Sequence, residues 1–156
     1  MSAPRPVKLP AAVAERIRHH CEEQYPCEAC GAIFGRGDGT ESPWLVTGVA
    51  HAPNDHDDDH RRRYLVPPEF QLHAEQEARA AGLDVLGYYH SHPDHPARPS
   101  EYDRAHAWLG YLYVICAVAE GRAAAMNAFT LAEPDGAFVD VVIEGDAVAW
   151  RGPAEV

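Results

Sequence analysis

The sequence predicts an α/β fold, a mixed β-sheet flanked by helices, on three observations. Helix-like and strand-like stretches alternate through the first 110 residues, and a run of strand-like stretches separated by tight-turn signals follows. The most apolar run, 111–119, has the length of a strand and falls far short of the roughly 18 apolar residues a membrane span needs. At 156 residues, 46% of them hydrophobic, the chain has the size and composition of one globular domain, with its core expected over about 7–145.

The elements follow in order. Leu9, Val13, Ile17 and Cys21 recur every four residues over 9–25, after Pro10 in the first turn and before Pro26, which predicts an amphipathic helix. Residues 30–35 form a short apolar run that ends in the glycine-rich turn 35–39, and 44–50 is strand-like, so the pair reads as a hairpin. Residues 54–60 are too polar for a core and read as a surface loop; 61–66 returns to strand character. Pro67 and Pro68 open a helix running toward Gly82. Residues 83–90 read as a buried strand and the proline-rich 93–99 as an irregular turn. Ser100 with Asp103 three residues on predicts a short capped helix over about 101–109, ended by Gly110. Strands are expected at 111–118, 123–131 and 137–143, with turns at 120–121 and 133–136 that make an antiparallel meander.

Lys and Arg total 13 against 24 for Asp and Glu, a formal net charge of -11, which disfavours nucleic acid or an anionic membrane surface as partner. The N-terminal residues lack the apolar stretch and small-residue cleavage site of a secretory signal, so the expected location is the cytoplasm. Cys21, Cys27, Cys30 and Cys116 are then expected as reduced thiols.

The chemistry concentrates in the segment 90–103. His90 and His92 are separated by one residue, so a strand places both side chains on the same face, where a helix would diverge them. Two neutral imidazoles and a carboxylate from the first turn of the next helix make a three-ligand set that leaves a fourth position open, the pattern of a catalytic zinc site. The competing reading makes Ser100 and Asp103 a helix cap and the histidines the solvated end of a strand. It explains each half separately but not two same-face histidines delivered into a proline-constrained turn and then a carboxylate. Of the two carboxylates, Asp103 is preferred to Glu101, which sits beside the cap and faces elsewhere on the helix.

This segment resembles the JAMM, or MPN+, metalloprotease signature: a distant acidic residue, then His-x-His-Pro, a short spacer and Ser-x-x-Asp. The context of Tyr25-Pro-Cys-Glu28-Ala-Cys-Gly31, Arg63-Tyr-Leu-Val-Pro67 and Gly87-Tyr-Tyr-His90 resembles small prokaryotic members over most of the chain. The resemblance implies a JAMM (cytidine-deaminase-like) fold, a curved mixed β-sheet flanked by helices. It implies one zinc ion per chain held by His90, His92 and Asp103, with Glu28 as the group that takes a proton from water and returns it to the leaving amine. Ser100 matches the family's active-site serine, a donor to the developing oxyanion. The implied activity is hydrolysis of a peptide or isopeptide bond after the C-terminal Gly-Gly of a ubiquitin-like sulfur-carrier protein (ThiS/MoaD-like). Its narrow tail is expected to lie extended beside the zinc and to pair with a sheet edge. A homodimer is compatible with the sequence.

Other features carry weaker readings. Taken alone, Glu28 is a glutamate just past a helix end, an ordinary surface position, and only the resemblance gives it a role. Cys27-x-x-Cys30 lacks the second cysteine pair of a structural zinc site and follows a helix where the redox motif opens one, so Cys30 is read as a small buried residue beside Gly31. The His- and Asp-rich stretch 51–60 is a hydrated surface loop that would take a second metal only as a special case, and Arg61-Arg62-Arg63 is either its counter-charge or a substrate contact. His73 and His106 have no defensible partners, and His95 lies near the site by sequence. Two alternatives remain: a noncatalytic module binding a ubiquitin-like protein, against which the intact ligand set argues, and a zinc hydrolase or deaminase acting on a small molecule, for which the His-x-Glu element is missing.

Overall fold

The computed structural model describes residues 5–37, 43–53, 66–134 and 136–144. In chain order the elements are β1 (Val7–Lys8), α1 (Ala11–Gln24), β2 (Cys30–Arg36), β3 (Trp44–Ala52), α2 (Pro68–Ala80), β4 (Asp84–Pro93), α3 (Glu101–His106), β5 (Leu112–Ala119), β6 (Arg122–Leu131), β7 (Phe138–Val141) and β8 (Ile143–Glu144). Of the expected strand over 61–66 only Val66 is described, and it is buried outside any strand; residues 61–65, the Arg61–Arg63 patch and the histidines and aspartates of 54–60 lie outside the described residues.

The strands form one mixed sheet in the order β7-β6-β5-β4-β2-β3-β1-β8. β2 and β3 pair antiparallel as the expected hairpin, β5, β6 and β7 make the expected meander, and β4 lies parallel to β5. The strands β7 and β8 stand at opposite ends of that order, yet only Val142 separates them in the chain. One residue spans at most about 3.6 Å, so the sheet curls until its two edges come close, and the Val7 N–H donates to the Val142 carbonyl at 2.9 Å in the parallel β1–β8 ladder that starts there. The single strand expected over 137–143 is therefore two: closure hands the chain from one edge to the other. β1, a two-residue strand between prolines, carries no periodic signal of its own and exists because β3 and β8 flank it.

The two long helices cover opposite faces. The α1 stripe of Val13, Ile17 and Cys21 packs with Tyr89, Val114, Cys116 and Val118, while Ala74 and Ala78 of α2 pack with Val85, Tyr88 and Tyr113. Neighbours Tyr88 and Tyr89 thus serve different cores, as the two-residue period of a strand buried on both sides requires. Gly31 makes this possible on β2, because a Cβ there would stand 2.3 Å from the Tyr89 ring. Among the described residues no helix is long and apolar enough to cross a membrane.

The helix α3 ends three residues before the expected 109. Ala107 has extended backbone (φ -78°, ψ 149°), the Trp108 N–H donates to the Tyr113 hydroxyl at 2.7 Å, and the Gly110 N–H donates to Leu131. The sheet thus takes up N–H groups that a longer helix would have used itself, an outcome that local propensity does not contain.

His20 shows what the α1 core does to a titratable group. Its Nδ1 lies 2.7 Å from the Tyr89 hydroxyl and its ring stacks on His51 of β3, centroids 3.9 Å apart. Burial, and secondarily His51, push its pKa down to about 4. Between pH 6.5 and 4 the unfolded chain then binds a proton that the folded chain refuses. Stability is expected to fall as pH drops through this window, by up to about 1.4 kcal/mol per unit from this group. Urea midpoints measured from pH 7 to pH 4.5 should fall more steeply in the wild type than in His20→Gln; parallel profiles would show that His20 is not buried as a neutral ring.

Candidate metal centre

The site is built at the end of β4. Tyr88, His90 and His92 alternate onto the α2 face, and Tyr89 and Ser91 point to the α1 side. His90 lies opposite Cys30 of β2 and beside Ile115 of β5, so an internal strand flanked by two ladders fixes its backbone. Both imidazoles are buried, and their Nε2 atoms are 3.2 Å apart. The His92 Nδ1–H donates to the Pro96 carbonyl at 2.8 Å, which leaves the lone pair on Nε2 facing inward. The proline-rich turn is what brings that carbonyl back to the ring.

Asp103 enters from the first turn of α3. The Ser100 Oγ accepts from the Asp103 N–H at 3.1 Å and the Asp103 carboxylate accepts from the Ser100 N–H at 2.8 Å, a complete capping box. The same carboxylate reaches both histidines, with Oδ1 3.0 Å from His90 Nε2 and Oδ2 3.0 Å from His92 Nε2. The cap and the site readings of Ser100 and Asp103 thus coexist, because capping is what aims the carboxylate. Burial alone would raise the Asp103 carboxyl; His90, His92 and the Ser100 N–H outweigh it and hold the group well below the usual carboxylate range. Burial lowers the His90 imidazole against the upward pull of Asp103, which favours the neutral ring a metal needs.

The donor set fits a zinc-sized cation. Ligand atoms of a tetrahedral ion with bonds of about 2.0–2.1 Å lie about 3.3 Å from one another, close to the 3.0–3.2 Å separations here. Among the described residues this is the only group of three or more His, Cys, Asp or Glu side chains whose ligand atoms converge. Cys30 is fully buried beside Gly31, as expected, and Cys27 is half-buried; neither joins a ligand group.

A cavity of about 540 Å³ opens over the site, lined by Glu28, His92, His95, Pro96, Arg98, Pro99, Ser100, Glu101 and Tyr102. Glu28, an ordinary surface position when taken alone and a site residue by the resemblance, is 3% exposed and lines this cavity with His92 and Ser100, so the five residues singled out from the sequence gather at one place. Glu101 is exposed and paired with Arg104 at 3.2 Å, away from the ligand atoms. His95 belongs to the cavity rim. His73 lies exposed beside Glu77, and His106 contacts the Tyr102 carbonyl; neither belongs to the ligand group. His51, counted from sequence with the acidic loop, is a strand residue stacked on His20.

Two residues escaped the sequence reading. Ser91, fully buried, accepts the Ala29 N–H on its Oγ at 2.8 Å, while its own N–H donates to the Ala29 carbonyl. Asp94 accepts from the Tyr25 hydroxyl at 2.6 Å and from the Glu120 N–H at 2.9 Å. Both stand inside the histidine motif, yet nothing in a linear pattern says which distant segment they touch.

Residues 10–132 match the family model of prokaryotic homologs of the JAB domain. Over 117 residues the chain is 33% identical to a desampylase of Haloferax volcanii, covering 70% of this chain and 79% of that protein. Over 107 residues it is 34% identical to a probable TtuB-protein conjugate cleaving protease of Thermus thermophilus, covering 69% and 67%. A JAB1/MPN domain protein of Archaeoglobus fulgidus has the same fold at a TM-score of 0.56 and 16% identity, with 89% of this chain and 98% of that one covered.

Proposed function

The chain belongs to the prokaryotic homologs of the JAB domain, and from that membership we propose that it is a JAMM-type zinc isopeptidase that cleaves after the C-terminal Gly-Gly of a ubiquitin-like sulfur-carrier protein. The observation that carries this reading is the convergence of His90, His92 and Asp103, with His92 opening onto a cavity that Glu28 and Ser100 also line. The two conjugate-cleaving relatives support the substrate class.

His90, His92 and Asp103 would hold one zinc ion. The chemistry zinc supplies when bound is Lewis acidity, which makes water nucleophilic at neutral pH and polarises a carbonyl. Glu28 takes the proton of the attacking water and returns it to the leaving amine, so no covalent intermediate with the chain is required. Ser100 uses its Oγ lone pair to cap α3 and retains its hydroxyl proton for the developing oxyanion. Strand β2 pairs with β4 as far as Cys30 opposite His90, and His92–Pro93 run on beside β5 alone. An extended Gly-Gly tail suits the strand edge that β2 leaves unpaired there.

The test is hydrolysis by zinc-loaded protein of a ubiquitin-like carrier whose terminal Gly-Gly is joined to a lysine amine. Expected is release of the intact carrier, ended by chelator and restored by zinc. Binding of the carrier without release would make the protein a recognition module, and deamination of free nucleosides by the same preparation would overturn the isopeptidase assignment.

A further inference from the structure

Glu28 lies outside every regular element, between the end of α1 and the start of β2, and a general base needs placement within a few tenths of an ångström to transfer a proton. Something must therefore hold residues 25–29 against the histidine strand. The geometry points to Ser91 and Asp94 as positioning residues that clamp this segment from both ends and so hold Glu28 over the metal site. The inference rests on the catalytic role proposed for Glu28 and adds two residues to that machinery.

The first tie is buried. At the end of the β2–β4 ladder the Ala29 N–H is taken by the Ser91 hydroxyl at 2.8 Å, and the Ser91 N–H donates back to the Ala29 carbonyl at 3.0 Å. A side chain thus closes the last ring, immediately after Glu28 and between the two histidines. The second tie is at the other end of the segment. Tyr25, which follows α1, donates its hydroxyl to Asp94 Oδ2 at 2.6 Å, a short charge-assisted bond. Asp94 itself is held in a left-handed conformation (φ 57°), its N–H donating to the Val118 carbonyl at 2.7 Å and its Oδ1 accepting from the Glu120 N–H at 2.9 Å. A non-glycine residue at positive φ costs about 1 kcal/mol or more and persists where surrounding contacts over-determine it. Here those contacts join the turn after His92 to the β5–β6 turn, and Tyr25 then hangs the Glu28 segment from that junction. The α1 end is anchored in the same place, because Glu22 Oε2 accepts from the Ala123 N–H at 2.8 Å.

Neither Ser91 nor Asp94 belongs to the converging ligand atoms, so removing either tie should leave the metal in place and misplace the base. In the zinc-loaded enzyme, Tyr25→Phe and Asp94→Asn are each expected to lower kcat about tenfold and Ser91→Ala by up to about a hundredfold, with KM and zinc content unchanged. Ser91→Thr, which keeps the hydroxyl, should restore most of the rate. Tyr25→Phe combined with Asp94→Asn should lose no more than either alone. Placed on Glu28→Gln, all of them should cost less than twofold, because the group they position is gone. Amide exchange read without turnover supplies the independent arm: amides 27–29 should exchange severalfold faster in Tyr25→Phe and Asp94→Asn, with those of β4 unchanged. Losses of the same size in the Glu28→Gln background, or unchanged exchange at 27–29, would overturn the clamp. If the wild type hydrolyses no Gly-Gly conjugate, the isopeptidase reading fails alone, and exchange still decides whether the clamp exists.

Discussion

Glu28→Gln is expected to keep its zinc and lose about 10²–10⁴-fold in kcat, the range that one positioned proton-transfer group contributes. Glutamine has nearly the size and shape of glutamate, so the buried site and its cavity are preserved; what disappears is the capacity to accept a proton from water. Glu28 is not among the converging ligand atoms, and metal content should therefore match the wild type at one ion per chain. The loss should fall on kcat, with KM nearly unchanged, because the interaction removed exists only in the transition state. Metal analysis beside steady-state kinetics on a Gly-Gly conjugate checks this. Full turnover in Glu28→Gln would remove the residue from the mechanism, and loss of zinc would make it a ligand.

The second large effect is at Asp103, where one carboxylate meets both imidazoles and the Ser100 N–H. Asp103→Ala should abolish zinc binding and hydrolysis together, and it should also destabilise the metal-free fold by about 1 kcal/mol through loss of the carboxylate half of the α3 capping box, the Ser100 Oγ still accepting the residue-103 N–H. Asp103→Asn separates these consequences. Its amide oxygen can still accept from Ser100, so the helix remains capped, while the charge that holds a dication is gone. Thermal denaturation with and without zinc provides the readout: at a thousandfold excess over Kd the wild type should gain about 4 kcal/mol from the metal, and both variants nothing. A zinc-dependent rise in either variant comparable to the wild type's would exclude Asp103 from the ligand set.

The convergence of the proposed ligands was legible because its information is local. His90 and His92 are two residues apart, and any strand puts such a pair on one face; Ser100 and Asp103 are three apart, and a capping box at the start of a helix folds the Asp103 carboxylate back toward the Ser100 N–H and inward. Proline and glycine marked the ends of α1 and α2 for the same reason, since their constraints act on the residue that bears them. Glu28 was legible only as part of a family pattern, because no neighbour in sequence distinguishes a buried glutamate after a helix from an exposed one.

What the chain alone determined, then, are the features a few consecutive residues can specify: the α/β class, the helix stripes, the strand that presents two histidines and the cap that presents Asp103. Tertiary structure decided the rest. It split 137–143 at Val142 to close the sheet, shortened α3 by capturing the Trp108 N–H on Tyr113, buried Glu28 beside His92 and tied it there through Ser91 and Asp94. Each of these depends on groups brought together across the fold. Tyr25 and Asp94 are 69 residues apart, as are His20 and Tyr89, and Ala29 and Ser91 are 62 apart. Contacts of that range form only when the whole sheet folds and offsets the entropy of closing the loops between them, so no window of the sequence contains them.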